Sequence, residues 1–377
     1  MKTGWLKRTA ALAMSAFIAV TMVPVSALPV RAEERTAEAG EIHTYAETPG
    51  DAASAKYTLT ADGTNIPVIK YEAKGNHFDV ARFASDAKTP EYTVHVTEEI
   101  QTVKIYPERY YPQESIQVSE DKHSVTFRLS DQLPYCYVMI NGGPEDQAGK
   151  PYLAIINDPI ETGKPDKNAA NVLNFQVFMT EYLKDHPNSE AEKAEEAGTT
   201  SGGIAYEAGG LVENSTAQVR FPNKRKMTEN DATHALQAAL DAIYAEGSVY
   251  DTLYFPAGEY TWSGLEIRNR KGKHVSIYVE EGALLKNRLQ ECMQAMESAI
   301  GIWDSENITI SGRGMFDGNG VENYRKDRHD AKDSCHQGGV MIVRSSNITF
   351  NDTYVRDAKQ WNWESHGSKK GCIAGCS

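Results

Sequence analysis

The sequence predicts an all-β protein in two parts: an antiparallel β-sandwich, then a helix and the first rungs of an incomplete parallel β-solenoid. Three observations predict it. From about Ile42 to Ile156, short runs of β-branched and aromatic residues alternate with polar ones and are separated by turn signals. One later segment has the apolar spacing of a helix. Beyond it, Ser305-Glu306-Asn307-Ile308-Thr309-Ile310 returns forty residues on as Ser345-Ser346-Asn347-Ile348-Thr349-Phe350.

The chain has 377 residues with 39 basic and 52 acidic side chains, a net charge of −13. At roughly 150 residues per domain this length suggests about two domains and a core that needs no staples. The acid excess argues against nucleic acid as a partner, because phosphate binding needs clustered Lys and Arg. It equally disfavours an anionic membrane surface.

Residues 1–32 read as a secretory signal. Lys2, Lys7 and Arg8 form a positive start, Ala10 to Val23 is apolar, and small-residue sites follow at Val25-Ser26-Ala27 and Val30-Arg31-Ala32. Cleavage after Ala27 or Ala32 is expected, with secretion of a mature form that holds no membrane segment. Cleavage after Ala32 removes four basic residues and no acid, taking the charge from −13 to −17.

The sandwich is expected over 40–165. Its strands are Tyr57–Thr60, Ile66–Tyr71, Tyr92–Val96, Val103–Tyr106 and Val125–Leu129, with turns at Asp62-Gly63, Lys74-Gly75-Asn76 and Asn141-Gly142-Gly143. Residues 166–227 read as a linker or insertion: Glu190–Glu196 is charged and compatible with a short helix, and Ser201-Gly202-Gly203 and Gly209-Gly210 are flexible. The helix follows. Thr228, Asn230 and Asp231 are N-cap candidates, Leu236, Ala239, Leu240, Ile243 and Tyr244 share a face, and Gly247 is a stop.

The solenoid is expected over 228–369. Besides the forty-residue repeat, His274–Val279 is a looser copy of the same strand, with Asn and Ser at the bends. The five cysteines (Cys136, Cys292, Cys335, Cys372, Cys376) are odd in number and contain no Cys-x-x-Cys pair, so they predict neither a disulfide framework nor a metal site. Asp317-Gly318-Asn319-Gly320 reads as a turn rather than a calcium loop. Sequons begin at Asn214, Asn307, Asn347 and Asn351, the last three on repeat strands or turns.

The segment from Asn230 to Ala242, followed by Tyr254-Phe255-Pro256-Ala257-Gly258-Glu259-Tyr260, resembles the entry of pectin-lyase-like right-handed β-helices, in which a helix covers the open end of the solenoid. Ile308-Thr309-Ile310-Ser311-Gly312-Arg313-Gly314-Met315-Phe316-Asp317-Gly318-Asn319-Gly320 is similar to a segment of the polygalacturonase family, glycoside hydrolase family 28. Trp363-Glu364-Ser365-His366 resembles that family's Trp-x-x-His rung, and the leading sandwich with Asn157-Asp158-Pro159 resembles the extra domain of some bacterial members and of dextranases.

The resemblance implies acid/base hydrolysis of a polysaccharide such as pectin, with inversion and without metal or cofactor. It suggests Arg356, Trp361, Trp363 and His366 as substrate-groove candidates. A guanidinium fork suits a uronate carboxylate, and the aromatic residues either stack on sugars or pack within rungs. The family's catalytic motifs, Asn-x-Asp, Asp-Asp, Gly-His-Gly and Arg-x-Lys, follow the Trp-x-x-His rung, and the eleven residues after His366 contain none of them. Asp304, Glu306, Asp317, Asp352, Asp357 and Glu364 match no catalytic position, so no catalytic residue is assigned.

The tail, 370–377, reads as aberrant. A rung restarting at Ser368 gives way to Lys370-Gly371-Cys372-Ile373-Ala374-Gly375-Cys376-Ser377, which suggests a frameshifted or prematurely ended gene. An open solenoid of about three rungs, inactive and prone to aggregate through its edges, is then expected. The alternatives are a dextranase-like hydrolase or a polysaccharide lyase of the same fold, and a non-catalytic carbohydrate-binding or adhesion protein.

Overall fold

A computed structural model describes residues 40–73, 76–128, 133–142, 152–187, 203–207, 210–215, 232–262, 265–287, 296–320, 336–358, 362–369 and 371–374. Within them the chain is mostly β, with several sheets and two α-helices. The expected signal segment and the possible helix at Glu190–Glu196 lie outside the described residues. The described residues fall within one compact unit.

Two sheets built from residues 42–158 share one core. The first contains Val68–Ala73, Asn76–Ser85, Val103–Tyr106, Tyr135–Ile140 and Leu153–Asp158; the second contains Tyr57–Ala61, Thr64–Ile66, Glu91–Val96 and Ser124–Arg128. Alternation puts Phe83, Val138 and Ile155 of the first sheet against Leu59, Val94 and Val125 of the second, all buried. The expected strand over Ile66–Tyr71 is divided at Pro67, which has no N–H to give a ladder. Asp62 (φ 42°) and Gly63 (φ 81°) close a two-residue hairpin that needs positive φ at both positions. The first sheet is not purely antiparallel, as was expected, because Leu153–Asp158 runs parallel to Asn76–Ser85.

Three further sheets are parallel, and from residue 252 to 374 the chain visits them in rotation. One holds Val172–Asn174, Thr252–Phe255, Val275–Val279, Glu306–Ser311, Ser346–Asn351 and Cys372–Ala374. A second holds Gly258–Trp262, Ala283–Asn287, Met315–Asp317 and Tyr354–Arg356, and a third Leu265–Arg268, Met296–Trp303, His336–Val343 and Trp363–His366. The sequence repeat is a register: Ile308 pairs with Ile348 and Ile310 with Phe350, while Val275 and Ile277 of the looser copy pair with Ile308 and Ile310. Inward apolar residues from successive strands therefore stack in one core.

The bends stack as well. Asn269, Asp304 and Arg344 take positive φ at equivalent corners (56°, 50° and 47°), as does Gly367 (58°). Asn307 and Asn347, two of the sequon residues, also have positive φ, and the Asn347 amide donates to Asn307 Oδ1 at 2.6 Å. Asn and Asp tolerate this conformation better than other side chains. Inside the corner, Ser345 Oγ donates to the Val343 carbonyl at 2.9 Å and the Ser345 N–H donates to Ser368 Oγ at 3.3 Å.

Helix α1 (Phe175–Asp185) and helix α2 (Thr233–Tyr244) pack on the end where the parallel sheets begin. In α2, Leu236, Ala239, Leu240 and Ile243 are buried as the spacing predicts. Its N-cap is Ala232, without a side-chain cap, and not Thr228, Asn230 or Asp231, which lie outside the described residues. Tertiary contact supplies the missing anchor, since the Ala232 N–H donates to the Thr261 carbonyl at 2.6 Å. Gly247 (φ 74°) lies in the turn after the helix.

Two sequence expectations are corrected. The linker expected over 166–227 contains the first strand of a parallel sheet, Val172–Asn174, which pairs with Thr252–Phe255. It also contains α1, capped by Asn174 Oδ1 accepting from Val177 N–H at 3.3 Å. Three residues of strand carry too little periodicity to be read, and burial of Phe175 is a tertiary effect. The tail, expected to break the repeat after Lys369, continues it: Thr349 pairs with Cys372, Phe350 with Ile373 and Asn351 with Ala374. A parallel ladder is made by backbone groups, so Cys and Ala serve where β-branched residues were expected.

Candidate functional site

Where the first sheet meets the second parallel sheet, a cleft open to solvent is lined by Tyr45, Asp51, Tyr71, Arg82, Arg313 and Arg356, among others. Period-2 alternation builds its first wall. With Ala81 and Phe83 in the core, Arg82 points outward; the parallel register pairs it with Ile156 and leaves Asp158, two residues on, facing the same side. Arg82 Nε donates to Asp158 Oδ2 at 2.7 Å, and its terminal nitrogens reach the carbonyls of Arg313 (3.4 Å) and Asp352 (3.2 Å). The guanidinium lies between the rings of Tyr45 and Tyr354, 5.0 and 5.2 Å from their centroids.

The opposite wall is built by the stacked strands. Asp317 and Arg356 are register partners, and Arg356 Nε donates to Asp317 Oδ2 at 2.8 Å. The other Asp317 oxygen accepts the Asn319 N–H at 2.7 Å, which makes Asp317-Gly318-Asn319 the turn that its sequence predicts. Arg356 Nη1 donates to Asp51 Oδ1 at 2.7 Å. Arg313 is buried; it donates to the Pro159 carbonyl at 2.8 Å, and its Nη1 lies 3.5 and 3.6 Å from Asp158 and Asp352 carboxylate oxygens. Arg313 Nε and Nη1 have no hydrogen-bond partner among the described residues.

Burial, reinforced by the Asp158 carboxylate, pushes the Tyr45 phenol far above its ordinary range, and burial does the same for Tyr71. Both are neutral hydrogen-bonding phenols at ordinary pH. Asp317, Asp51 and Asp158 accept charge-assisted bonds from arginine, and both Asp317 oxygens are engaged. Carboxylates held in this way by arginine are poorly suited to proton transfer.

The substrate-groove candidates fall in different places. Arg356 belongs to the cleft but is ion-paired twice, which corrects its reading as a receptor for a substrate carboxylate. Trp363 faces the core, edge-on to Phe350 at 5.0 Å, so it is a packing residue rather than a groove residue. His366 lies on the outward face of the third parallel sheet, 3.0 Å from Glu364 Oε1. Trp361 lies outside the described residues. Arg82, Arg313, Asp51 and Asp158 line or brace the cleft and were not named as site candidates from the sequence; Arg313 lay within the Ile308–Gly320 segment and Asp158 within the Asn157-Asp158-Pro159 exit, while Arg82 and Asp51 carried no signal. Among the described residues no group of three or more His, Cys, Asp and Glu side chains is placed to hold a metal ion.

No protein-family profile and no curated protein matches the chain. Among solved structures it is similar to one described as a "putative glycosyl hydrolase" from Parabacteroides merdae ATCC 43184, at 19% identity and a TM-score of 0.31. That match covers 39% of this chain and 66% of the other, just under two thirds of its length.

Proposed function

We propose that the protein acts on glycans as a secreted, polygalacturonase-like glycoside hydrolase. On this reading the two-sheet unit is a β-sandwich, and the three parallel sheets are the faces of a right-handed β-helix of the pectin-lyase-like type. The supporting observation is the forty-residue repeat, whose two copies stack in parallel register while the chain rotates through three sheets. Parallel strands stacked in register place equivalent outward positions in rows, an arrangement suited to a polymer. The test is release of reducing ends from polygalacturonate by the purified full chain. Release proportional to protein supports the reading, and none from polygalacturonate or dextran refutes it. Export is tested by N-terminal sequencing of the protein from culture medium, which should begin at Leu28 or Glu33.

A second reading, glycan binding without hydrolysis, is favoured by the ion pairing of the carboxylates. Asp51, Asp158, Asp317 and Asp304 each accept a bond from arginine. Retention on a polysaccharide matrix without reducing ends would select it.

A further inference from the structure

We propose that the outer face of the first sheet, together with the cleft at its margin, is a binding track for a neutral polysaccharide chain. The inference takes its ligand class from the glycan-directed reading above. It goes beyond that reading in placing the contact on the two-sheet unit and in excluding uronate polymers from it.

Five aromatic side chains form a continuous ribbon on this face. Ring centroids are 4.6 Å apart for Tyr71–Phe78, 5.1 Å for Phe78–Tyr152, 5.7 Å for Tyr152–Tyr137 and 5.9 Å for Tyr137–Tyr135. Alternation explains their common side. Ala81, Cys136, Val138, Leu153 and Ile155 of the same strands fill the core, leaving the ribbon on the opposite face. The fold does not need all five rings for burial, since Tyr135 and Tyr137 are 39% and 41% exposed. Single exposed apolar side chains are ordinary, but a connected row marks a contact surface.

Ring faces meet the C–H faces of pyranose rings, and the phenol hydroxyls meet sugar hydroxyls. The rings are tilted by 49°, 4°, 83° and 60° in succession, so the surface is ridged and suits one twisted chain rather than a flat crystalline face.

Tyr71 joins the ribbon to the cleft, where the Arg356 guanidinium lies 6.0 Å from its centroid. Arg313 lines the same cleft but is buried, so it braces the wall through the Pro159 carbonyl and the Asp158 and Asp352 carboxylates rather than meeting a ligand. Charge selects the ligand. Three guanidinium groups line the cleft with the carboxylates of Glu47, Asp51 and Glu281, and the same guanidinium groups are already engaged by Asp51, Asp158, Asp317 and Asp352. A uronate chain would meet net repulsion, and an uncharged one would not.

The experiment is affinity electrophoresis of the full chain in native gels containing dextran, laminarin or polygalacturonate. Retardation is expected in at least one neutral glucan. Any retardation in polygalacturonate, which the hydrolase reading places elsewhere on the chain, should be the same for wild type and the double Ala variant at Tyr135 and Tyr137. Combining Tyr135→Ala with Tyr137→Ala should weaken the glucan retardation about tenfold, the loss of two aromatic contacts, while Tyr135→Phe with Tyr137→Phe should preserve most of it. Nitration of the wild-type protein gives a readout independent of variant folding: the retarding glucan should slow modification of Tyr135 and Tyr137. The proposal is overturned by no retardation in either glucan, by retardation in polygalacturonate alone, by equal retardation of wild type and the double Ala variant in the retarding glucan, or by unprotected tyrosines. Reducing-end assays on the same proteins separate the two readings. Hydrolysis with an unaffected double variant defeats the track alone, and retention without hydrolysis defeats the hydrolase alone.

Discussion

Arg356 and Asp51 are 305 positions apart in the chain, yet their side chains meet at 2.7 Å across the boundary between the two-sheet unit and the parallel sheets. Both are largely buried, at 12% and 8% exposure. The same guanidinium holds Asp317. Removing it strands two largely buried carboxylates beside the cleft, so Arg356→Ala should cost about 3–5 kcal/mol. Urea denaturation measures this, and a loss under about 1 kcal/mol would mean that the boundary is wet and loosely held.

Ser345 is expected to matter through its hydroxyl. It accepts the Ser305 N–H at 3.2 Å and donates to the Val343 carbonyl at 2.9 Å within a buried corner. Ser345→Ala leaves that N–H unsatisfied and should cost about 1–3 kcal/mol. Ser345→Thr keeps the hydroxyl but adds a methyl where packing is tight. Thermal melts of the two variants would show whether the bond or the volume dominates.

Gly312 has no tolerated replacement. It takes φ 110°, and a Cβ there would lie 2.1 Å from the Val279 carbonyl oxygen of the neighbouring strand. Gly312→Ala combines backbone strain with a backbone clash and should cost more than about 3 kcal/mol, or abolish soluble expression. Gly63 offers the contrast. It also has positive φ, 81°, but nothing lies within 4 Å of its added Cβ, so Gly63→Ala should cost only about 1 kcal/mol.

Asp304 predicts an acid-dependent share of stability. The Arg344 fork, with bonds of 2.7 and 2.6 Å, holds its carboxyl below the ordinary range. A carboxyl depressed in the folded state stabilises above its unfolded value, near pH 4, and loses that contribution as pH falls through the folded value. The stability gap between wild type and Asp304→Asn should therefore narrow as pH drops below about 4. Each partner is about one-third exposed, so the gap at neutral pH should stay under about 1 kcal/mol and shrink further in high salt.

Much of the secondary structure was legible because the signals are local. Leu236, Ala239, Leu240 and Ile243 fall on one helix face by spacing alone, and the strands at Tyr92–Val96 and Val103–Tyr106 follow from two-residue alternation. Less local features were missed. Val172–Asn174 is too short to carry a period, and Cys372–Ala374 has one β-branched residue, Ile373, but lies on a ready backbone template. Trp363 was left open between sugar stacking and rung packing, and its place opposite Val340 in the ladder turns it to the core.

The sequence by itself determined that the chain is rich in short strands, that an amphipathic helix precedes a repeating segment, and that the repeat has a forty-residue spacing. Each of these is written in near-neighbour periodicity, or in the likeness of one segment to another. Only the tertiary structure decided that Ile308 sits on Ile348, that Arg356 is occupied by Asp51 and Asp317, and that Tyr71, Phe78, Tyr152, Tyr137 and Tyr135 form one ribbon. Such contacts depend on strand register and sheet packing, which a one-residue slip would invert and no local pattern records.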